Sequence, residues 1–281
     1  MVIPVLFNMS LRAMRRDRAA PGFARHAFLY EAAAHEMLDR LADVRRDFRE
    51  ALVIGAPTDI LPSALKKQGL RVTVADPGPR MAAMQGGFCL CEDAPLPFAP
   101  ASFGLILSCG TMDSVNDVPG LLVQLRELLR PDGLLLAAFM GAGSLPRLRS
   151  ALLAADGNRP AQRIHPQIDV RTAGDLLMRA GFALPVADVQ SLDVGYDGLL
   201  GLLGDLRGMG AAQCLVSTPP PLTRAGLVRA IEDFASGADA DGRTRERFEI
   251  IQISGWRPDP SQPKPARRGS ATVSLAEALK T

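Results

Sequence analysis

The sequence predicts an α/β fold: a doubly wound, mostly parallel sheet, with an N-terminal helix and a helical insert before the last strand. Three observations carry this. Strand-like and helix-like stretches alternate from about residue 50 to about residue 140. The runs Ala51–Ile54 and Leu134–Phe139 are apolar throughout, as strands covered on both faces are. Glycine and proline punctuate the boundaries, at Gly55, Gly69, Pro131 and Gly133.

Taken in order, Ala24 to Phe48 repeats apolar residues such as Leu29, Ala33, Met37 and Leu41 at helical spacing. Ala51–Ile54 is the first strand, a short helix spans Ser63–Gln68, and Leu70–Ala75 alternates β-branched residues as a second strand. Phe103–Ser108 reads as a third strand, Val118–Leu129 as a helix, and Leu134–Phe139 as a fourth strand after an R-P-D-G turn. Further on, Thr172–Ala180 is predicted helical, Ala183–Val194 a strand, Asp197–Met209 and Arg224–Phe234 helices, and Phe248–Trp256 a late strand. The proline-rich stretch Pro258–Arg268 reads as an extended tail. These elements divide the chain into an N-terminal helical region (1–48), a sheet core (49–196 with 245–257), a helical insert (197–244) and a C-terminal arm (258–281).

Composition narrows the function classes. The 281 residues hold 32 Lys+Arg against 30 Asp+Glu, a net charge of +2 that gives no basic field for nucleic acid. No apolar run is long enough to span a bilayer. The first residues place the apolar stretch before the arginine cluster, the reverse of a secretory signal. Cys89, Cys91, Cys109 and Cys214 fit small buried apolar residues, in a reducing compartment, better than a disulfide framework or a zinc site. His26, His35 and His165 are far apart and read as ordinary polar residues. No metal site is expected.

In such a sheet a ligand sits beyond the carboxyl ends of the strands, at the point where strand order reverses. The first strand is followed there by Gly55 and Ala56. Asp76 ends the second strand, at the spacing of roughly 20 residues that suits a carboxylate on ribose hydroxyls. Glu92 and Asp93 lie in the next loop, within reach of an adenine amino group, and Ser108 ends the third strand.

The stretch PASFGLILSCGTMDSVNDVPGLLVQLRELLRPDGLLLAAF, the R-x-H-P segment Arg163–Pro166 and the ending ISGWRPDPSQPKPARRGSATVSLAEAL resemble one family almost end to end. It is the methyltransferase-like family of mitochondrial and α-proteobacterial proteins that assist assembly of respiratory complex I. The resemblance implies a class I methyltransferase fold and S-adenosyl-L-methionine as cofactor, held by Gly55, Ala56, Asp76, Glu92, Asp93 and Ser108. It implies a protein or carrier-bound substrate, including a complex I subunit; for the bacterial source that the arginine-rich composition suggests, a cytoplasmic protein at or near the inner membrane is expected. Only Lys66, Lys67, Lys264 and Lys280 are lysines among the 32 basic residues, a bias common in GC-rich bacterial genomes.

The chain departs from the family in its first motif, an acid followed by three alternating glycines. Here it reads Val53-Ile54-Gly55-Ala56-Pro57-Thr58-Asp59, and only Gly55 matches. Val53 cannot hold the methionine ammonium, a loss of roughly 1.5–3 kcal/mol. Pro57 removes a backbone donor and adds bulk, and Asp59 is placed to cap the next helix. Restoring Asp at 53 and Gly at 57 is therefore expected to tighten cofactor binding. Gly104 replaces a family acid and Asp113-Ser114 a His-Trp pair, whereas Asn116-Asp117 match, with Asp117 also suited to cap the helix that begins at Val118. No catalytic residue is assigned. Three readings stay open: a methyltransferase, a degenerate pseudoenzyme acting as an assembly chaperone, and a protein arginine hydroxylase, as attributed to the mitochondrial relative.

Overall fold

The computed structural model describes residues 5–55, 57–90 and 95–262. Seven strands form one sheet: β1 (Glu50–Ile54), β2 (Arg71–Asp76), β3 (Phe88–Cys89), β4 (Phe103–Cys109), β5 (Leu129–Met140), β6 (Ala183–Tyr196) and β7 (Thr244–Trp256). Their order is β3-β2-β1-β4-β5-β7-β6. The first five pair in parallel, and β7 inserts antiparallel between β5 and β6. The order reverses between β1 and β4, which opens a crevice at their carboxyl ends.

Nine helices surround it among the described residues: α1 (Met9–Ala19), α2 (Phe28–Ala42), α3 (Ile60–Lys67), α4 (Pro79–Met84), α5 (Val118–Leu128), α6 (Pro146–Asp156), α7 (Val170–Arg179), α8 (Leu199–Gly208) and α9 (Arg224–Ala235). Alternation along β5 shows how the sheet is covered. Leu135, Ala137 and Phe139 join the cluster under α5 and α7, while Leu134, Leu136 and Ala138 join the one under α2 and α3. Both faces are dry, so the strand reads as an unbroken apolar run. A third cluster unites Phe23, Leu148, Leu202, Phe234 and Phe248 and fastens α6, α8 and α9 over one end of the sheet.

Several expectations are corrected. The single helix across 24–48 is a 3-10 segment (Ala20–His26) followed by α2, and the chain is irregular after Asp43. The R-P-D-G stretch lies inside β5, where Asp132 takes φ 58 and the pairing with β4 slips between Phe103 and Leu105. The turn residues thus produce a bulge rather than an interruption. The late strand starts four residues earlier than its alternation suggested, at Thr244. Helices α1, α4 and α6 were not anticipated. Cys109 and Cys214 are buried as expected, but Cys89 is exposed on the edge strand. Cys91 and most of the C-terminal arm lie outside the described residues.

Candidate cofactor cleft

A cavity of about 610 Å³ opens at the carboxyl ends of β1, β2 and β4, with Ile54, Pro77, Leu90, Thr111 and Val115 on its walls. Its outer side is closed by the chain's own N-terminal segment, Phe7 to Ser10. Asn116 holds that segment: its Oδ1 accepts from the N–H groups of Leu6 (2.9 Å) and Phe7 (2.8 Å), and its Nδ2 donates to the Phe7 carbonyl (3.1 Å). Phe7 also bridges to Leu215, and Asn8 donates its backbone N–H to the Cys214 carbonyl at 2.8 Å. Asn8 then caps α1 by accepting from Leu11 N at 2.9 Å. The backbone of Leu6, Phe7 and Asn8 is tied down by these bonds, so the strap is a built part of the cleft.

Helix α1 runs on across the strand ends. Arg12 and Arg16 are one turn apart, on one face, and both are buried. Arg12 donates from Nη2 to the Thr111 carbonyl at 2.5 Å. Arg16 donates to both oxygens of Asp76, Nε to Oδ1 at 2.8 Å and Nη2 to Oδ2 at 2.5 Å. Asp76 is 1% exposed, and its Oδ1 also accepts from Gly78 N at 2.7 Å. Asp17 extends the same contact by accepting from Arg80 N at 2.7 Å, at the start of α4.

The electrostatics follow from this crowding. Burial and the neighbouring Arg16 bring the Arg12 guanidinium down to about 10. Burial acts on Arg16 in the same sense, but the Asp76 carboxylate outweighs it and holds Arg16 above its ordinary value. Burial pushes the Tyr30 phenol and the Cys109 thiol each up to about 12, with Arg16 pulling both the other way. None of these groups is a ready nucleophile or base near neutral pH.

Gly55, Asp76 and Ser108 come together at this crevice, whereas Ala56, Glu92 and Asp93 lie outside the described residues. Gly55 takes φ 70, and a Cβ there would run into Thr111 Cγ2 and the Cys109 carbonyl. Its N–H donates to the Ala75 carbonyl at 2.9 Å. Ser108 is buried, and its hydroxyl lies 2.9 Å from that of Thr111. Val53 is fully buried among the residues packed under α2 and α3. This corrects the expectation that an aspartate at 53 would simply restore cofactor contact, because its carboxylate would enter an apolar cluster. Asp59 occupies the N-cap position of α3, but its carboxylate takes the Ser63 hydroxyl rather than a backbone N–H. Asp117 does cap α5, accepting from Gly120 N at 2.8 Å.

Sequence reasoning missed Arg12, Arg16 and the strap. The arginine cluster was weighed only as part of a secretory signal, whose order it reverses, yet the i, i+4 spacing of Arg12 and Arg16 is the signal that places both on one helix face.

A methyltransferase-domain family model matches residues 23–185. The mitochondrial arginine-hydroxylase NDUFAF5 of Danio rerio is 31% identical over 98% of this chain and 90% of its own length. The chain therefore belongs to the methyltransferase-domain family that contains NDUFAF5. A malonyl-[acyl-carrier protein] O-methyltransferase of Laribacter hongkongensis is 28% identical over 86% of this chain and 87% of its own length. Among solved structures, the YcgJ protein of a Bacillus species superposes with a TM-score of 0.55 at 14% identity, covering 82% of this chain and 99% of that one. At that identity the likeness speaks for the fold. No helix among the described residues is long and apolar enough to cross a membrane.

Proposed function

We propose that the chain is an S-adenosyl-L-methionine-binding, methyltransferase-like protein of the complex I assembly type, acting on a protein or carrier-bound substrate. Its cleft is closed at the ribose end by its own first helix. The observation that carries this reading is the cleft of about 610 Å³ at the sheet's switch point, with Asp76 at the end of β2 beside it.

The residues fit one half of the cofactor. Leu90 and Leu96 offer apolar walls for a purine, and Glu92 and Asp93 follow in the same loop. Asp76 offers two acceptors for a ribose diol once Arg16 withdraws, with Gly55 and Ser108 at the strand ends beside it. The methionine end fits poorly, because Val53 is buried and Asp59 turns to Ser63. When bound, the cofactor would supply an electrophilic methyl group. The chain's part is to position a nucleophile beside it.

The Arg16–Asp76 pair also favours a second reading, a catalytically degenerate chaperone that keeps the fold with weak or no cofactor binding. The NDUFAF5 relatives suggest a third, hydroxylation of a protein arginine, with a complex I subunit as partner. Cytoplasmic placement, peripheral to the inner membrane, goes with either.

Calorimetry with S-adenosylhomocysteine tests the first reading. Binding that Asp76→Ala abolishes supports it, and no binding to any variant up to about 1 mM, only about −4 kcal/mol, favours the chaperone. Mass analysis of complex I subunits from a deletion strain tests the third. It requires one arginine to lose an oxygen.

A further inference from the structure

A second cavity, of about 300 Å³, lies between α6, α8 and the segment around His165. Its walls are mainly leucine, with Leu148 and Leu152 from α6 and Leu203 and Leu206 from α8. This is the lower end of the size range of small-molecule sites, about 300–1,000 Å³.

The polar side chains on the lining are Arg163, Arg207, His165, Asp113, Gln167 and Gln213. Gln167 is taken up by Arg149, whose Nη2 donates to its Oε1 at 3.1 Å, and Gln213 donates to the Ser217 carbonyl at 3.5 Å. Arg163 is already engaged, by Asp156 and by the Pro220 carbonyl. Arg207 is exposed, and no acceptor among the described residues meets its guanidinium. His165 accepts the Cys214 N–H on Nε2 at 2.8 Å, which leaves the proton of the neutral ring on Nδ1. No acceptor among the described residues meets that Nδ1–H either. Asp113 is the single carboxylate on the lining, and its charge acts on His165, which leaves Arg207 as the cationic end of the cavity.

We propose that this cavity is a separate binding site for an acyl-type ligand, an apolar chain among the leucines with its carbonyl or carboxylate at Arg207 and His165. An apolar channel lacking donors would suit a bare hydrocarbon, and a second acid at its mouth would suit an amine. Leucine walls with two open donors select a chain that ends in an acceptor. No residue lines both this cavity and the cleft, although the two adjoin where the Phe7 ring meets His165 edge-on at 5.1 Å; the inference does not rest on the adenosyl reading.

Titration of the full-length protein with decanoate and with decylamine, followed by calorimetry, tests this. Decanoate is expected to bind at roughly 100 μM or tighter and decylamine at least tenfold more weakly. Arg207→Ala, at an exposed position, should weaken decanoate about tenfold, and Leu203→Trp should abolish binding by filling the chain channel. If Leu203→Trp fails to fold, Arg207→Ala and the amine control still decide. Absence of decanoate binding at 1 mM, equal binding of the amine, or unchanged affinity in Arg207→Ala would each overturn the proposal.

Discussion

Arg16 and Asp76, 60 residues apart in sequence, form a bidentate ion pair with side chains only 4% and 2% exposed. It joins the first helix to the end of the second strand. The two carboxylate oxygens that a ribose diol would require are met by two guanidinium N–H groups of the same chain.

Removing one partner strands the other's charge. Arg16→Met or Asp76→Leu alone should therefore destabilise the fold by about 3–5 kcal/mol, and the two combined by much less. Urea unfolding of the two singles and the double checks this. Strict additivity would contradict direct coupling.

Asn116 makes three hydrogen bonds to the strap at Leu6 and Phe7. Asn116→Ala should raise the opening of residues 5–10 about tenfold or more while leaving the sheet protected. Hydrogen exchange resolved by segment would show it. Uniform loss of protection would mean that Asn116 supports the whole fold instead.

Val53→Asp should cost roughly 3–5 kcal/mol by burying a carboxylate without a partner, and it should not improve adenosyl binding even alongside Pro57→Gly. A stable variant with tighter binding would show that Val53 can face the cleft.

His165 carries the clearest pH dependence. Burial holds its pKa below the usual 6.5, with Asp113 acting in the opposite sense. Between those two values the unfolded chain binds a proton that the folded chain does not. Stability should therefore fall as pH drops below about 6.5, by up to about 1.4 kcal/mol per pH unit, until the folded ring titrates. Thermal melts from pH 7.5 to 5 should show this slope in the wild type and lose it in His165→Gln. A wild-type stability flat across that window would contradict it.

The sheet half of the fold was legible because its strands are buried on both faces and its helices repeat cleanly. Ala51–Ile54 and Leu134–Phe139 could be read from hydrophobicity alone. Helix α1 was not, because its mean composition is strongly polar and its buried residues include Arg12 and Arg16. Their burial depends on Thr111 and Asp76, partners far away in sequence. For the same reason Asp76 could be placed at the end of its strand, while its engagement by Arg16 could not be foreseen. Glycine loss at Pro57 and Asp59 was visible, but the inward face of Val53 was a matter of strand register.

The most direct test is a calorimetric titration of S-adenosylhomocysteine into the wild type, Arg16→Gln and Arg16→Gln with Asp76→Ala. If α1 guards the ribose carboxylate, the wild type binds near the millimolar range and Arg16→Gln binds at least tenfold tighter, about 1.4 kcal/mol. The further Asp76→Ala change then removes the gain. Equal or weaker binding by Arg16→Gln, in a variant shown to be folded, would contradict it.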